Sequence, residues 1–360
     1  MTEATRLHGG PDALGVPLHD FSTNRNACGP CPQALAAVQA ADATRYPDPA
    51  YTVLRGQLAV FHGVDPARVL LAGSASEFIF RITAWVASQG LHTVRVPVHG
   101  YSDYAEAARA WGLCIVTSGA CDLQWHADPS SPLGQTCELD SWQAPSCVQV
   151  VDLAYEPLRL SGRSSFAPIQ PTGQIEHVSP NEVTPSASSL WQLWTPNKAL
   201  GLTGVRGAYA IAPPGVEVEA VSQLERLCAS WPVGAHGVAL LQAWTQASTQ
   251  AWLADSRCRL AVWKSRQIDM LESMGWVCVP SHANFLCART GSNDLDTDLL
   301  RLRHCGLKLR NAASFGLPGH VRLGVLPPQA QDALRAAWQK SMRRDLTQRA
   351  ATAPQIKELT

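Results

Sequence analysis

No sign of charge dominates this 360-residue chain, which carries 29 Lys and Arg against 29 Asp and Glu. Without a basic field there is nothing to hold nucleic acid or an anionic membrane, so the expected partners are a small molecule or a second copy of the chain. Long apolar runs are missing as well: no stretch approaches the ~18 to 20 residues of a spanning helix. The opening Met1-Thr2-Glu3-Ala4-Thr5-Arg6 lacks the basic and then apolar run of an export signal, so a cytoplasmic protein is expected. At 46% hydrophobic and 16% charged, the composition excludes disorder and fibrous architectures, and no internal repeat is visible.

Eleven cysteines are present, but an odd number scattered over a long chain is not a disulfide framework. Reduced, mostly buried thiols are expected, and no metal site. Cys28-Gly29-Pro30-Cys31 spells the thioredoxin redox motif, whose first thiol is activated at a helix N-terminus. Here it follows Asn26-Ala27 instead of a strand and a tryptophan, and the chain is several times too long for that fold. Two incidental thiols in a Gly-Pro turn are the expected reading. A redox protein working through Cys28 and Cys31 is the alternative.

Along the chain an extended arm runs to about residue 31, followed by an amphipathic helix over Pro32 to Ala41 and a turn at Tyr46-Pro47-Asp48-Pro49. A second helix covers Tyr51 to His62. Apolar strands and helices then alternate. Strands are expected at Val69 to Ala72, Thr93 to Val98, Leu113 to Ser118, Val148 to Leu153 and Leu190 to Trp194, with Tyr209 to Ala212 as a sheet edge. Helices fall at Ser76 to Ser88 and Tyr104 to Trp111. This order predicts an α/β fold, a mostly parallel sheet between helices, with ligands beyond the carboxyl ends of the strands. Ser161 to Ser189 reads as a long loop. After Trp231 the pattern changes to long helices over Gly237 to Met274, then strands at Trp276 to Val279, Phe285 to Ala288, Leu307 to Arg310 and His320 to Leu323 around a helix at Leu295 to Cys305. The expected division is an arm (1–31), a large domain (32–230), a smaller α+β domain (231–348) and a polar tail (349–360).

Thr195-Pro196-Asn197-Lys198, continuing to Gly204-Val205-Arg206, sets a lysine just after a buried strand, with hydroxyl residues before it and an arginine eight positions on. A phosphorylated aldehyde needs this set: the amine forms an imine, while the hydroxyl and guanidinium take the phosphate. Asp152, ending a strand, is placed to keep a pyridine nitrogen protonated. Tyr155, three residues on, is placed to reach the phenolic oxygen of such a ring.

These residues resemble the fold-type I pyridoxal-phosphate enzymes of the class I/II aminotransferase group, in the branch of histidinol-phosphate aminotransferases and threonine-phosphate decarboxylases. The likeness covers roughly residues 8 to 340. Asp20-Phe21-Ser22-Thr23-Asn24-Arg25-Asn26 looks like the branch's N-terminal strand, and Arg45-Tyr46-Pro47-Asp48-Pro49 like its substrate-loop turn. Ala72-Gly73-Ser74-Ala75-Ser76-Glu77 is similar to its phosphate cup, a helix N-terminus. Tyr101 matches the aromatic stacked on the cofactor. Ser281-His282-Ala283-Asn284-Phe285, and Arg322 within His320-Val321-Arg322-Leu323-Gly324, match the small-domain strand and its carboxylate-binding arginine.

The resemblance implies pyridoxal 5'-phosphate on Lys198, with Asp152 at the ring nitrogen, Tyr101 over the ring, and Ala75, Ser76, Thr195, Asn197 and Arg206 around the phosphate. It also implies a homodimer in which Tyr46 reaches the partner's phosphate site. Ser130-Ser131-Pro132-Leu133-Gly134 stands where the family commonly has Asn-Asn-Pro-Thr-Gly, so the Ser131 hydroxyl replaces an amide donor to the ring oxygen. Leu7-His8-Gly9-Gly10 ahead of Asp20 resembles the start of the cobalamin-pathway decarboxylases. His8, Asn24 and Arg322 are therefore candidates for substrate contact, and Arg310 for the substrate's phosphate. The function expected is decarboxylation of L-threonine O-3-phosphate. A histidinol-phosphate-type aminotransferase working with 2-oxoglutarate is the alternative, and a non-catalytic protein retaining the fold the second.

Overall fold

The computed structural model describes residues 9–137, 147–164, 166 and 190–352, with side chains as far as Ser341. His8, most of the Ser161–Ser189 loop and the last eight residues of the expected tail lie outside the described residues.

The arm carries β1 (His19–Asp20), followed by α1 (Pro32–Gln39) and α2 (Thr52–His62). The alternating part comprises β2 (Val69–Ala72), α3 (Ala75–Ser88), β3 (Thr93–Arg95), α4 (Ser102–Ala110), β4 (Cys114–Ile115), β5 (Leu123–Ala127), β6 (Val148–Asp152), β7 (Trp191–Trp194) and β8 (Ala208–Ile211). Its seven strands form one sheet in the order β2-β8-β7-β6-β5-β3-β4, all pointing one way except β8. Side chains alternate across this sheet. Val69, Leu71, Val151, Tyr209 and Ile211 enter a core shared with α1 and α2. Leu70, Ala72, Val150, Ala208 and Ala210 enter a second core with α3 and α4. Burial on both faces explains why these strands read as short continuous apolar runs.

Two readings are corrected here. Tyr209 to Ala212 is not an edge: β8 pairs with both β2 and β7, and the edges are β2 and β4. β5, a mid-sheet strand, escaped the sequence because Gln124 and His126 interrupt its apolar pattern, although both are buried.

The rest is α5 (Val218–Arg226), α6 (Ala235–Trp244), α7 (Ala247–Ser273), β9 (Val277–Cys278), β10 (Phe285–Arg289), α8 (Leu295–His304), β11 (Leu307–Lys308), β12 (Arg310–Asn311), β13 (His320–Gly324) and α9 (Pro328–Thr352). Neither α5 nor α9 was expected, and α9 carries helix into residues read as polar tail. The strand expected over Leu307 to Arg310 splits in two. β11 pairs in parallel with β1, while β12 joins an antiparallel sheet ordered β12-β13-β10-β9. Leu240, Leu241 and Trp244 of α6, with Leu253 and Leu260 of α7, share the core of α1 and α2. Met270 and Leu271, at the far end of α7, pack instead with Phe21, Trp276, Leu286 and Leu323.

Candidate active site

Lys198 sits in a tight turn directly after β7, and that turn is braced by the arm. Asn26 N–H donates to the Lys198 carbonyl at 2.9 Å, Asn26 Nδ2 to the Ala199 carbonyl at 3.0 Å, and Cys31 N–H to the Leu200 carbonyl at 2.8 Å. Gly201 closes the turn at φ +68°, and a side chain there would meet the Gly29 carbonyl oxygen at 2.6 Å, so glycine is required twice over. Cys28-Gly29-Pro30-Cys31 is thus a buttress for the lysine turn. Its two thiols face different partners, Cys28 the Ser256 carbonyl and Cys31 the side chain of Gln33.

The turn lines a cavity of about 900 Å³ that opens beyond the C-terminal ends of β3, β5, β6 and β7. Asp152 lies on its floor. The carboxylate accepts from Tyr104 Oη at 2.7 Å and from the Ala154 N–H at 2.9 Å. Complete burial pushes the carboxyl pKa up, against the pull of the Lys198 charge and of those two hydrogen bonds. Lys198 Nζ stands 5.2 Å from the centre of the Tyr155 ring, whose hydroxyl accepts from Asn24 Nδ2 at 3.4 Å. Tyr101, at the start of α4, meets Ser76 Oγ at 3.0 Å and the Tyr104 ring edge-on at 5.9 Å. Burial raises the Tyr101 hydroxyl pKa well above that of a free phenol, so the group stays neutral.

At one end of the cavity, α3 begins with Ser74 Oγ accepting from the Glu77 N–H at 3.1 Å, while Glu77 accepts from the Gly73 N–H at 3.2 Å. This capping arrangement leaves first-turn N–H groups of Ala75 and Ser76 without intrahelical acceptors, facing the same space as Thr195 and Arg206. Thr195 Oγ1 is buried and has no hydrogen-bond partner among the described residues.

At the other end, Arg310 and Arg322 lie directly opposite each other on β12 and β13, both buried. Arg322 donates to Ser131 Oγ at 3.1 Å and to the Ser22 carbonyl at 2.9 Å, with its Nε unpartnered. Arg310 donates to Ser314 Oγ at 2.7 Å, and both guanidiniums lie over the Phe315 ring. Burial, with the Arg322 charge beside it, lowers the Arg310 pKa to about 10, still cationic at neutral pH.

The cavity therefore gathers Asn24, Ala75, Ser76, Tyr101, Ser131, Asp152, Tyr155, Thr195, Asn197, Lys198, Arg206, Arg310 and Arg322 from the sequence expectation. Tyr46 is not in this lining; it is exposed and stacked on Trp231 at 4.5 Å. Ser131 Oγ accepts from Arg322, a bond that leaves the serine's own O–H proton uncommitted. The Asn197 amide donates to the Thr203 and Val205 carbonyls at 3.4 and 3.3 Å, bracing the loop that carries Arg206, while its Oδ1 is unpartnered. Sequence reading missed Tyr104 and Phe315. Tyr104 lies in the first turn of α4, three residues after the extended Tyr101 that precedes the helix, and that closeness in sequence was its one signal.

Residues 117–337 match the family profile described as Aminotransferase class I and II. The chain belongs to that family. A histidinol-phosphate aminotransferase from Hyphomonas neptunium is 26% identical over 347 residues, spanning 89% of this chain and 88% of that protein. One from Burkholderia pseudomallei is 26% identical, spanning 90% and 92%. Among solved structures, histidinol-phosphate aminotransferase from Sinorhizobium meliloti in complex with pyridoxal-5'-phosphate superposes with a TM-score of 0.77 at 20% identity, covering 94% of this chain and 96% of that one. L-threonine-O-3-phosphate decarboxylase from Porphyromonas gingivalis gives 0.70 at 17% identity, covering 90% and 99%. This aminotransferase-family chain is thus a fold-type I enzyme whose cofactor is pyridoxal phosphate. The residues present suit that group: a buried acid lacking a full cationic partner faces a lysine, and an orphaned threonine hydroxyl faces a bare helix N-terminus. No described helix is long and apolar enough to cross a membrane.

Proposed function

We propose that this enzyme removes the carboxylate of a small amino acid that also carries a phosphate, with L-threonine O-3-phosphate as the substrate. The observation that carries this reading is the Arg310–Arg322 pair, two buried guanidiniums facing each other at one end of the cavity. Charge of that kind suits one compact substrate with two anionic groups. Gly9, near the start of the described arm, also lines the cavity and packs on the Ser22 carbonyl, which brings the arm over the same end.

Bound pyridoxal phosphate supplies an electron sink for a bond broken at the substrate's α-carbon. Lys198 would hold it, with Asp152 at the ring nitrogen, Tyr155 at the phenolic oxygen, Tyr101 over the ring and Ala75, Ser76, Thr195 and Arg206 at the phosphate. Arg322 would grip the substrate carboxylate and Arg310 the substrate phosphate, and the two together would fix the orientation of the substrate. Lys198 Nζ, in the cavity lining, would be the group that moves a proton at the substrate's α-carbon. Asn24 and Ser131 orient Tyr155 and Arg322.

The second reading is an aminotransferase of histidinol-phosphate type, favoured by the names of the curated relatives. It uses the same residues, with Arg322 gripping a carboxylate of 2-oxoglutarate or of the glutamate formed from it. Pure holoenzyme given L-threonine O-3-phosphate, and separately histidinol phosphate with 2-oxoglutarate, distinguishes them when carbon dioxide and glutamate are assayed independently. Carbon dioxide from the first mixture is expected. Glutamate from the second without carbon dioxide from the first favours the aminotransferase. Arg322→Ala should lower kcat/KM for threonine phosphate on the order of 10²-fold, about 2 to 3 kcal/mol for a charge-assisted pair left unmade; an unchanged value removes Arg322 from the substrate site.

A further inference from the structure

The cysteine pair that stands out in the sequence is not paired in space, but another one is. Cys121 lies just before β5 and Cys147 just before β6, and these strands are parallel neighbours in the register Leu123↔Val148. That register brings the two residues to the same end of the sheet, where their Sγ atoms are 3.5 Å apart. Both are free thiols, Cys121 buried and Cys147 partly exposed. A disulfide needs about 2.05 Å between the sulfurs, so the pair has roughly 1.5 Å to close. The pair sits at the N-terminal ends of the strands. Asp152 is at the C-terminal end of β6, roughly 16 Å away at the rise of a strand.

We propose that Cys121 and Cys147 form a reversible disulfide that staples β5 to β6 when the protein meets a small-molecule disulfide such as oxidised glutathione. The Cys147 thiolate, on the more exposed side, attacks one sulfur of the oxidant; the oxidant's S–S bond breaks and one glutathione thiolate leaves. The Cys121 thiolate then attacks Cys147 Sγ, the mixed disulfide breaks, and the second glutathione thiolate leaves. The two cysteine protons pass through solvent to the departing thiolates. Two protein thiols are oxidised and one glutathione disulfide is reduced to two glutathiones. Burial, Cys121 and Asp122 push the Cys147 thiol up to about 12, with Arg95 on β3 acting against them, so the exchange is slow near neutral pH. Once formed, the bond closes a loop between positions 26 residues apart, which restricts the unfolded chain.

The test is incubation of the holoenzyme with oxidised glutathione, alkylation of remaining thiols and peptide mass mapping, alongside thermal unfolding and turnover. A linked peptide pair containing Cys121 and Cys147 is expected, two hydrogens lighter than the free peptides. Tm should rise by several degrees, turnover should stay within two-fold, and dithiothreitol should reverse both changes. Cys147→Ser should abolish the link and the Tm rise, with Cys121→Ala as the companion variant if that serine is poorly tolerated. Separate alkylation or glutathionylation of both residues, a link between Cys28 and Cys31 instead, or a Tm rise that persists in Cys147→Ser overturns the proposal.

Discussion

Tyr104 shows how much of a site can hide in a residue that looks like core. It is fully buried, stacks on Trp125 at 4.8 Å, and spends its hydroxyl on Asp152. Burial and the neighbouring carboxylate raise its own pKa far above the ordinary phenol value, so it stays a donor. Tyr104→Phe preserves the ring packing and removes that hydrogen bond. The expected result is a cofactor dissociation constant about 10-fold higher, about 1.4 kcal/mol, read by the visible absorbance of bound pyridoxal phosphate and so independent of turnover. An unchanged constant means that the Ala154 N–H suffices to set Asp152. Asp152, Lys198 and Arg206 were legible in the sequence as candidates, the first two because charge is unusual at or just beyond the end of a buried strand and Arg206 by its spacing from the lysine. Tyr104 was not, since a buried tyrosine on a helix is ordinarily packing.

Between elements, the loops after β5 and β6 are joined by charge. Arg159 donates to Asp128 and to Glu156, each at 2.7 Å, and all three are buried. One guanidinium serves two carboxylates, and the desolvation of both outweighs its attraction: burial pushes both carboxyls up, Glu156 to about 7. Between about 4.5, the ordinary value, and about 7, the folded protein holds a proton at Glu156 that the unfolded chain has released. Stability from this group therefore falls as pH rises through that window, by an amount on the order of 3 kcal/mol. Glu156→Gln should flatten that part of a plot of Tm against pH. An identical slope in the variant places the titration elsewhere. No sequence pattern announced this triad, because Asp128 and Arg159 are 31 residues apart and meet only when β5 and β6 pair.

At the scale of the whole molecule, α7 belongs to two cores, and we propose that the division between large and small domains falls within it, in place of residue 230. The arm is tied to the C-terminal part of the chain: the Gly324 N–H of β13 donates to the Phe21 carbonyl at 2.7 Å, and Asp12 pairs with Arg303 of α8 at 2.8 Å and Lys308 of β11 at 2.9 Å. We also propose a homodimer, because Tyr46 and Trp231 form an exposed aromatic pair outside the chain's own cavity, in the turn that resembles the partner-facing loop. Light scattering should give twice the mass of the chain. A fully active monomer removes this assembly.

The amino-acid sequence alone determined the alternation of strands and helices and the residue types at strand ends, because hydrophobic period and chemical oddity are local properties. It therefore carried the α/β class and brought forward Lys198, Asp152, Thr195 and Arg206 as candidates, which the fold gathers around one cavity. Only the tertiary structure decided what depends on register and long-range packing. β8 became an interior antiparallel strand by inserting between β2 and β7, and the strand expected at Leu307 to Arg310 divided because β1 arrives to claim its first half. Arg310 came to face Arg322 through the pairing of β12 with β13. The Cys-Gly-Pro-Cys turn became a brace for Lys198, since its backbone meets a loop about 170 residues away, and such meetings leave no local pattern to read.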